Sequence, residues 1–408
     1  MNHAISDINA LRNIILDSQH LRTKSTDSIA RIVSDICGLQ YDPNPTIHLN
    51  QYMMLWNRKK DFVAEQLDIA AYQTFQVTET WTFKRNLYFV PRTEYALYRH
   101  AAKSIVRWGE SDEIWLNRWA TPEVLTEEKV LKEQLSNCEG LTLTQIWECL
   151  NLSHEWHKFR REHDPDFDLP IFRAFYRMCR RGDFLTCGRN PGTFQEPVYI
   201  LKEKIGFPDW MNEPIDETQA IQYVVEKMIA SFGVTDPIHI SHISGYKTAD
   251  LEPIFHELEA EERIVQLPYK IARRQYYIHT SALHRMQKNL AVPSGEVRLI
   301  SPMDTIVRDK VWLETFFDYS FTFEYFKKKG MKWPLSILVG NQFVGYVDCK
   351  MNWRNDEFVI KERNIFHPDY RNCQEIDRAI ESLAEFHGAK SLTDQSKQHE
   401  CYQKGDRA

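Results

Sequence analysis

Two stretches of this chain carry the same order of signals, and that repetition limits the possible fold more than any other feature. Residues 122–207 open at Thr121-Pro122-Glu123: a capping hydroxyl, a proline for the first helical turn, then an acid. Thr144 to Leu150 reads as a short helix and Leu169 to Arg181 as a longer one. Gly182-Asp183 then leads into a hairpin through Asn190-Pro191-Gly192. Residues 216–285 repeat the order. Asp216-Glu217-Thr218-Gln219 is a capping-box start, and Leu251, Ile254, Phe255 and Leu258 form one helix face. Arg263 to His279 predicts a hairpin folding around Leu267-Pro268-Tyr269. Helices followed by a two-stranded wing are the winged-helix pattern, and two units of similar length predict a tandem array.

The flanks differ. Ile5, Ile8, Leu11 and Ile15 recur at helical spacing, Ser25 to Ile36 predicts a second helix ended at Gly38, and Tyr52 to Tyr72 predicts a third. Thr80 to Val90 alternates like a strand pair. From Glu296 the texture turns to strands: Phe321 to Tyr325, Leu335 to Val339, Phe343 to Cys349 and Phe358 to Lys361 predict antiparallel pairing. Gln374 to Gly388 closes as a helix, and Ser391 to Ala408 is a polar, frayed tail. A chain of 408 residues exceeds one ordinary core. The expected division is residues 1–120, 121–210, 211–290 and 291–390, with a tail over 391–408.

Apolar and charged fractions of 43% and 26% are those of a soluble globular protein. The longest apolar runs are too short for a bilayer, and the N-terminus lacks a signal-peptide core. Eight cysteines without a Cys-x-x-Cys pair point to a reduced, cytoplasmic setting. Net charge is −6, from 57 acidic against 51 basic residues, so any nucleic-acid binding must rest on a local basic stripe. It would be modest in affinity and strongly sensitive to salt.

Chemistry concentrates at Cys37-Gly38-Leu39-Gln40-Tyr41-Asp42-Pro43-Asn44-Pro45. In an extended segment Gln40 and Asp42 point the same way and Tyr41 the other, and Pro43 favours that backbone at Asp42. An amide beside a carboxylate can hold one water, the amide orienting it and the carboxylate accepting its proton or stabilising nearby positive charge. That suits hydrolysis through an oxocarbenium-like transition state. The same residues also suit a polar turn, since Asp before proline commonly bonds its own backbone.

Further segments follow in order: Thr80-Trp81-Thr82-Phe83-Lys84-Arg85-Asn86-Leu87-Tyr88, Ser301-Pro302-Met303-Asp304, Phe317-Asp318-Tyr319, Glu324, and Leu338 through Asp348 to Lys350. In this order they resemble the AlkZ/YcaQ-type winged-helix DNA glycosylases, over roughly residues 5 to 390. The resemblance implies an α+β fold: tandem winged-helix (helix-turn-helix) domains closed by a C-terminal β-rich, barrel-like domain, the first winged helix carrying Gln40. It implies excision of alkylated purines and unhooking of interstrand crosslinks through a Gln-apolar-Asp motif, here Gln40, Tyr41 and Asp42. Arg85 matches a family arginine, whereas Asn86 replaces a glycine and Tyr88 a histidine, so no histidine-dependent step transfers. Tyr41, Tyr88, Asp304, Asp348 and Lys350 are the residues expected to line the site. On the sequence itself, a turn cap for Asp304 and strand-edge pairing for Asp348 and Lys350 are the better readings.

Two basic features would hold DNA. On the Leu169–Arg181 helix, Arg173, Arg177, Arg180 and Arg181 share one arc, with Ile171, Phe172, Phe175, Met178 and Cys179 opposite. Arginines without an acid on the same face suit phosphate contact better than an ordinary solvated face, which mixes signs. Lys327, Lys328, Lys329 and Lys332, with Trp333, form a basic turn suited to touching a duplex or to blocking edge aggregation. It is several residues shorter than the family segment.

His154-Glu155-Trp156-His157 spaces its histidines three apart rather than the four a helical zinc pair needs, and His239 and His242 are read as lying in a loop. No metal and no small-molecule cofactor is expected. The expected partner is double-stranded DNA with alkylated bases, bound by a monofunctional, monomeric, cytoplasmic glycosylase with no membrane association. The rivals are a winged-helix transcriptional regulator, dimeric and indifferent to Gln40 and Asp42, and an inactive binder of damaged DNA.

Overall fold

Asp7 accepts from Asn9 N at 2.9 Å and so caps helix α1 (Ile8–Ser18). The computed structural model describes residues 7–42, 49–107, 110–162, 168–190, 195–206, 215–283, 296–320 and 333–396. Two compact units share them. One joins residues 1–64, 226–243 and 248–408; the other holds 65–225 and 244–247.

In the first unit, α1 buries Leu11, Ile14, Ile15 and Leu16, and Ser28 caps α2 (Ile29–Asp35). The expected stop at Gly38 is real and involves its neighbour: Cys37 takes φ +58° and Gly38 φ +97°. Gly38 N bonds back to Val33 O at 2.8 Å, which ends the helix and turns the chain into β1 (Leu39–Gln40). Helix α3 (Asn50–Arg58) is shorter than the predicted Tyr52–Tyr72 helix. Ser25 explains the break. Its N–H bonds Arg58 O at 2.7 Å and its carbonyl accepts from Lys60 N at 2.8 Å, so Lys59 becomes extended. Helical turns resume at Ala64–Asp68 and Ile69–Gln73.

The second unit takes in those turns from residue 65 on and continues with the predicted strand pair, β2 (Val77–Trp81) and β3 (Leu87–Pro91), in register Val77↔Pro91 to Trp81↔Leu87. Helix α4 (Pro122–Leu135), capped by Thr121, leads to strand β4 (Leu141–Thr142) and helix α5 (Leu143–Cys149). Helices α6 (Ser153–Glu162) and α7 (Pro170–Arg181) follow, then strands β5 (Phe184–Arg189) and β6 (Pro197–Leu201). The sheet runs β4-β6-β5. Its core is aromatic: Trp147 meets Phe172 at 4.8 Å and Trp156 at 5.3 Å between ring centroids, all three buried. Rings of this size supply most of the buried area in a small subdomain.

The second stretch repeats the order. Helix α8 (Glu217–Phe232) starts at Asp216, which accepts from Gln219 N at 3.0 Å. Strand β7 (Val234–Thr235), helices α9 (Pro237–Ser244) and α10 (Thr248–Ala260), and strands β8 (Ile264–Gln266) and β9 (Tyr277–His279) follow. Here too the short strand after the first helix pairs beside the second hairpin arm, in the order β8-β9-β7. Two expectations need correcting. The hairpin turns at Ala272 and Arg273, both at positive φ, between Ile271 and Arg274 rather than around Pro268. Consecutive positive φ values match the twist of paired strands. And His239 and His242 lie on helix α9, whose first residue is Pro237, a position where proline's missing N–H costs nothing.

The C-terminal part is an open five-stranded sheet, not the expected barrel. Strands β10 (Val297–Ile300), β11 (Pro334–Val339), β12 (Gln342–Asn352), β13 (Glu357–Ile365) and β14 (Ser391–Asp394) pair in chain order. Helix α11 (Lys310–Phe317) lies in the connection from β10 to β11, and α12 (Gln374–Phe386) in that from β13 to β14. The first three pairings are antiparallel and the last is parallel, its crossover made by α12. Closure would require β10 to pair with β14, and among the described residues these stand at opposite ends of the order. Residues 391–394, expected in a frayed tail, are ordered through this parallel pairing. The expected strand Phe321–Tyr325 lies outside the described residues.

Candidate functional site

The Gln40-Tyr41-Asp42 segment is held from three directions within the first unit. Asn50 and Gln51 open helix α3, where the first backbone N–H groups already lack helical partners and the side chains are turned to other uses. Asn50 Nδ2 donates to Gln40 O at 3.1 Å, and Gln51 Oε1 accepts from Asp42 N at 3.3 Å. The third hold is on the side chain: Arg308 Nη2 donates to Gln40 Oε1. Leu39, Gln40 and Tyr41 are all buried, Gln40 to 4% exposure, while Asp42 is half-buried. An alternating exposure pattern is therefore absent up to Tyr41, and Asp42 is the first residue of the motif that solvent reaches.

Arg308 is itself placed by a buried ion pair. Asp304 begins the Thr305–Val307 turn by accepting from Ile306 N at 3.3 Å, as a turn cap. Its two oxygens also take Arg58 Nη1 at 2.6 Å and Nη2 at 2.8 Å. Arg58 donates further to Gln19 Oε1 at 3.1 Å and Met54 O at 3.1 Å, and Gln19 Nε2 donates to Ser231 O at 2.8 Å. Next to Arg308, Asp309 caps α11 through Trp312 N at 3.0 Å and meets His242 Nδ1 at 2.8 Å. Burial would raise the Asp309 carboxyl, but the Trp312 N–H and the nearby histidines hold it below its usual range.

Arg85, Tyr88 and the α7 arginines fall in the second unit. Arg85 is buried in the turn Phe83–Arg85, with φ +55°, and Tyr88 is fully buried edge-on to Phe83 at 5.4 Å. The arginines of α7 do share a face, but neighbouring elements supply the acids their own helix lacks. Arg173 Nε pairs with Asp168 at 3.0 Å and its guanidinium lies 5.5 Å from the Trp119 ring centre. Arg177, at 5% exposure, pairs with Glu128 at 2.7 Å and donates to the Leu116 carbonyl. Arg181 joins Glu128 at 2.8 Å and Asp183 at 2.9 Å. Arg180 stacks over Trp81 at 4.2 Å. It lines a cavity of about 580 Å³ together with Glu79, Trp81, Tyr176, Arg189 and Tyr199. Glu79 is held there by Arg189 Nε at 2.8 Å and Tyr72 Oη at 2.5 Å.

The DNA glycosylase AlkZ-like family matches residues 33–386, a span that runs from before Gln40 to the end of α12. The chain belongs to that family. The fold is similar to that of Streptomyces sahachiroi DNA glycosylase AlkZ, with a TM-score of 0.65 over 96% of this chain and 99% of that one, at 13% identity. Family membership makes DNA the substrate and glycosylase the enzyme class.

The other positions in this AlkZ-like chain divide by environment. Asp348 is buried on β12, its Oδ1 accepting from Trp333 N at 2.8 Å, while Lys350 is exposed two residues on. Asp348 pairs with Pro334 on one side and Glu362 on the other, and Lys350 pairs with Val359. Lys327, Lys328, Lys329 and Lys332 lie outside the described residues. Among the described residues no three His, Cys, Asp or Glu side chains converge as a metal site, and no helix is long and apolar enough to cross a membrane. His239 is buried, bonded through Nδ1 to Thr235 Oγ1 at 2.7 Å, and burial pushes its pKa down to about 3. Asn50, Gln51, Arg58 and Arg308 escaped the sequence reading. Only the position of Asn50 and Gln51, just before an apolar helical run, could have drawn attention to them.

Proposed function

We propose that this AlkZ-like glycosylase hydrolyses the N-glycosidic bond of N7- or N3-alkylated purines in duplex DNA, as a monofunctional monomer, and that interstrand crosslinks through such positions are within its reach. The observation that carries this is the three-sided hold on Gln40-Tyr41-Asp42, which fixes the Gln40 amide and the main chain that carries the Asp42 carboxylate two residues on. An alkylated purine already bears positive charge, so it departs without protonation. Water then needs to be placed and the sugar cation stabilised. Water oxygen bonds C1′ while the C1′–N bond breaks, its electrons neutralising the departing base. The water proton passes to Asp42 and on to solvent. Gln40 orients the water. General-base assistance of this kind supplies roughly 10²- to 10⁴-fold.

The repeated order of helices and hairpin over residues 122–201 and 217–279 supports a tandem winged-helix reading, with residues 1–120 as a first, divergent member. Arg173, Arg180 and Arg181 are then the α7 side chains for backbone phosphates, with Lys327, Lys328, Lys329 and Lys332 adding to them. Arg177 serves the fold through Glu128. Arg85, Tyr88, Asp304 and Asp348 act by shaping the protein, and Tyr41 by packing beside the motif.

The test is alkali-induced strand cleavage of a labelled duplex carrying one N7-methylguanine, after incubation with wild-type protein or with Asp42→Asn. Abasic sites that depend on the enzyme and vanish in the mutant support the proposal. Salt-sensitive binding without cleavage would favour a regulator or an inactive damage binder.

A further inference from the structure

We infer that Arg308 is a positioning residue for the reaction: its guanidinium dictates which edge of the Gln40 amide is the donor. This rests on the reading above, in which Gln40 orients the attacking water. An amide's oxygen and nitrogen edges are nearly equal in shape, and only the hydrogen-bond partners decide between them. Arginine carries donors and no acceptor, so the edge facing Arg308 must be Oε1, as observed. The Nε2 edge is then the one turned away. With the main chain pinned by Asn50 at Gln40 O and by Gln51 at Asp42 N, the amide has one orientation left. A donor edge meets a lone pair of the water, leaving the water's protons for Asp42. The flipped amide would compete for one of those protons.

Arg308 is suited to this because it is held from both sides. Asp304, locked by Arg58, fixes the turn before it, and Asp309, capping α11, fixes the residue after it. A flexible cation at this position would leave the amide free to rotate. A misplaced water costs on the order of 10- to 100-fold in rate without weakening DNA binding.

The test compares single-turnover excision rates at saturating protein, and DNA affinities, for wild type, Arg308→Met, Arg308→Lys and Asp42→Asn on the N7-methylguanine duplex. The expected result is a rate roughly 10- to 100-fold lower in Arg308→Met, with unchanged affinity and partial rescue by lysine, which keeps a donor. A wild-type rate in Arg308→Lys and Arg308→Met, beside an inactive Asp42→Asn, would overturn the positioning role alone. So would weakened affinity with an unchanged saturating rate, which is the behaviour of a phosphate-binding arginine. Full activity in Asp42→Asn, or none in the wild type, would instead remove the reading on which the inference stands.

Discussion

Arg58 grips Asp304 with both terminal guanidinium nitrogens, at 2.6 and 2.8 Å, and neither side chain is exposed beyond 1%. The residues are 246 positions apart, so this one pair ties the end of α3 to the turn that carries Arg308. Removing one partner leaves a buried charge with no counter-charge, typically a loss of about 3–5 kcal/mol. Asp304→Ala and Arg58→Met should each lower stability by that order in urea or guanidinium unfolding. Replacing both should cost less than the sum of the two. Strict additivity in that double-mutant cycle would show that the pair is not energetically coupled.

Gly182 ends α7 at φ +79°, a conformation that an L side chain enters at roughly 1–2 kcal/mol. A Cβ there would also collide with the Tyr95 hydroxyl and sit 3.0 Å from Arg99 Nε. Gly182→Ala should therefore lower the melting temperature clearly, and Tyr95→Phe in the same chain should recover part of the loss. No recovery would assign the whole effect to the backbone.

The local parts of this architecture are readable from sequence because their causes are local. Thr121 and Asp216 cap the helices they are expected to cap, and Gly182 stops α7. What escapes depends on partners far along the chain. Helix α3 ends at Arg58 because Ser25 claims the next residues, which no helical periodicity announces. The arginine arc on α7 looks free of acids because Glu128, 49 positions from Arg177, is supplied by α4. Likewise, Gln40 and Asp42 are visible as a pattern, whereas Arg308, 268 positions from Gln40, becomes visible only in three dimensions. The parallel strand at 391–394 is hidden for a related reason: a polar tail gains its order from β13, not from its own composition.

His239 should make the protein acid-sensitive. Its pKa of about 3 in the fold lies below the ordinary 6.5, so the unfolded chain binds the proton more readily. The stability linked to this histidine is therefore fully present above pH 6.5 and is lost as pH falls from there towards 3, by up to about 1.4 kcal/mol per pH unit. Asp309 acts in the same direction but only below about its ordinary 3.8. Denaturation midpoints measured from pH 7 to 4.5 should fall steadily for wild type and less steeply for His239→Gln. Parallel slopes would show that another group dominates this window.

The α7 arginines should separate into two classes when DNA binding and stability are measured together. Arg177 is buried against Glu128, so Arg177→Met should unfold at lower denaturant while any surviving folded protein keeps the wild-type salt dependence. Arg173 and Arg180 present different chemistry: Arg173 retains 40% side-chain exposure, and Arg180 lies on the face of Trp81 beside the cavity. Removing one arginine–phosphate ion pair should flatten the dependence of log affinity on log salt by about 1. Arg180→Ala and Arg173→Ala should thus weaken binding to damaged and undamaged duplexes alike, with a smaller salt slope and little change in the excision rate at saturation. Arg181 divides its charge between Glu128 and Asp183, so its substitution should fall between the two classes. Unchanged salt slopes for both Arg173→Ala and Arg180→Ala would remove α7 from the DNA-binding surface, and other cations of this acidic chain would have to hold the phosphates.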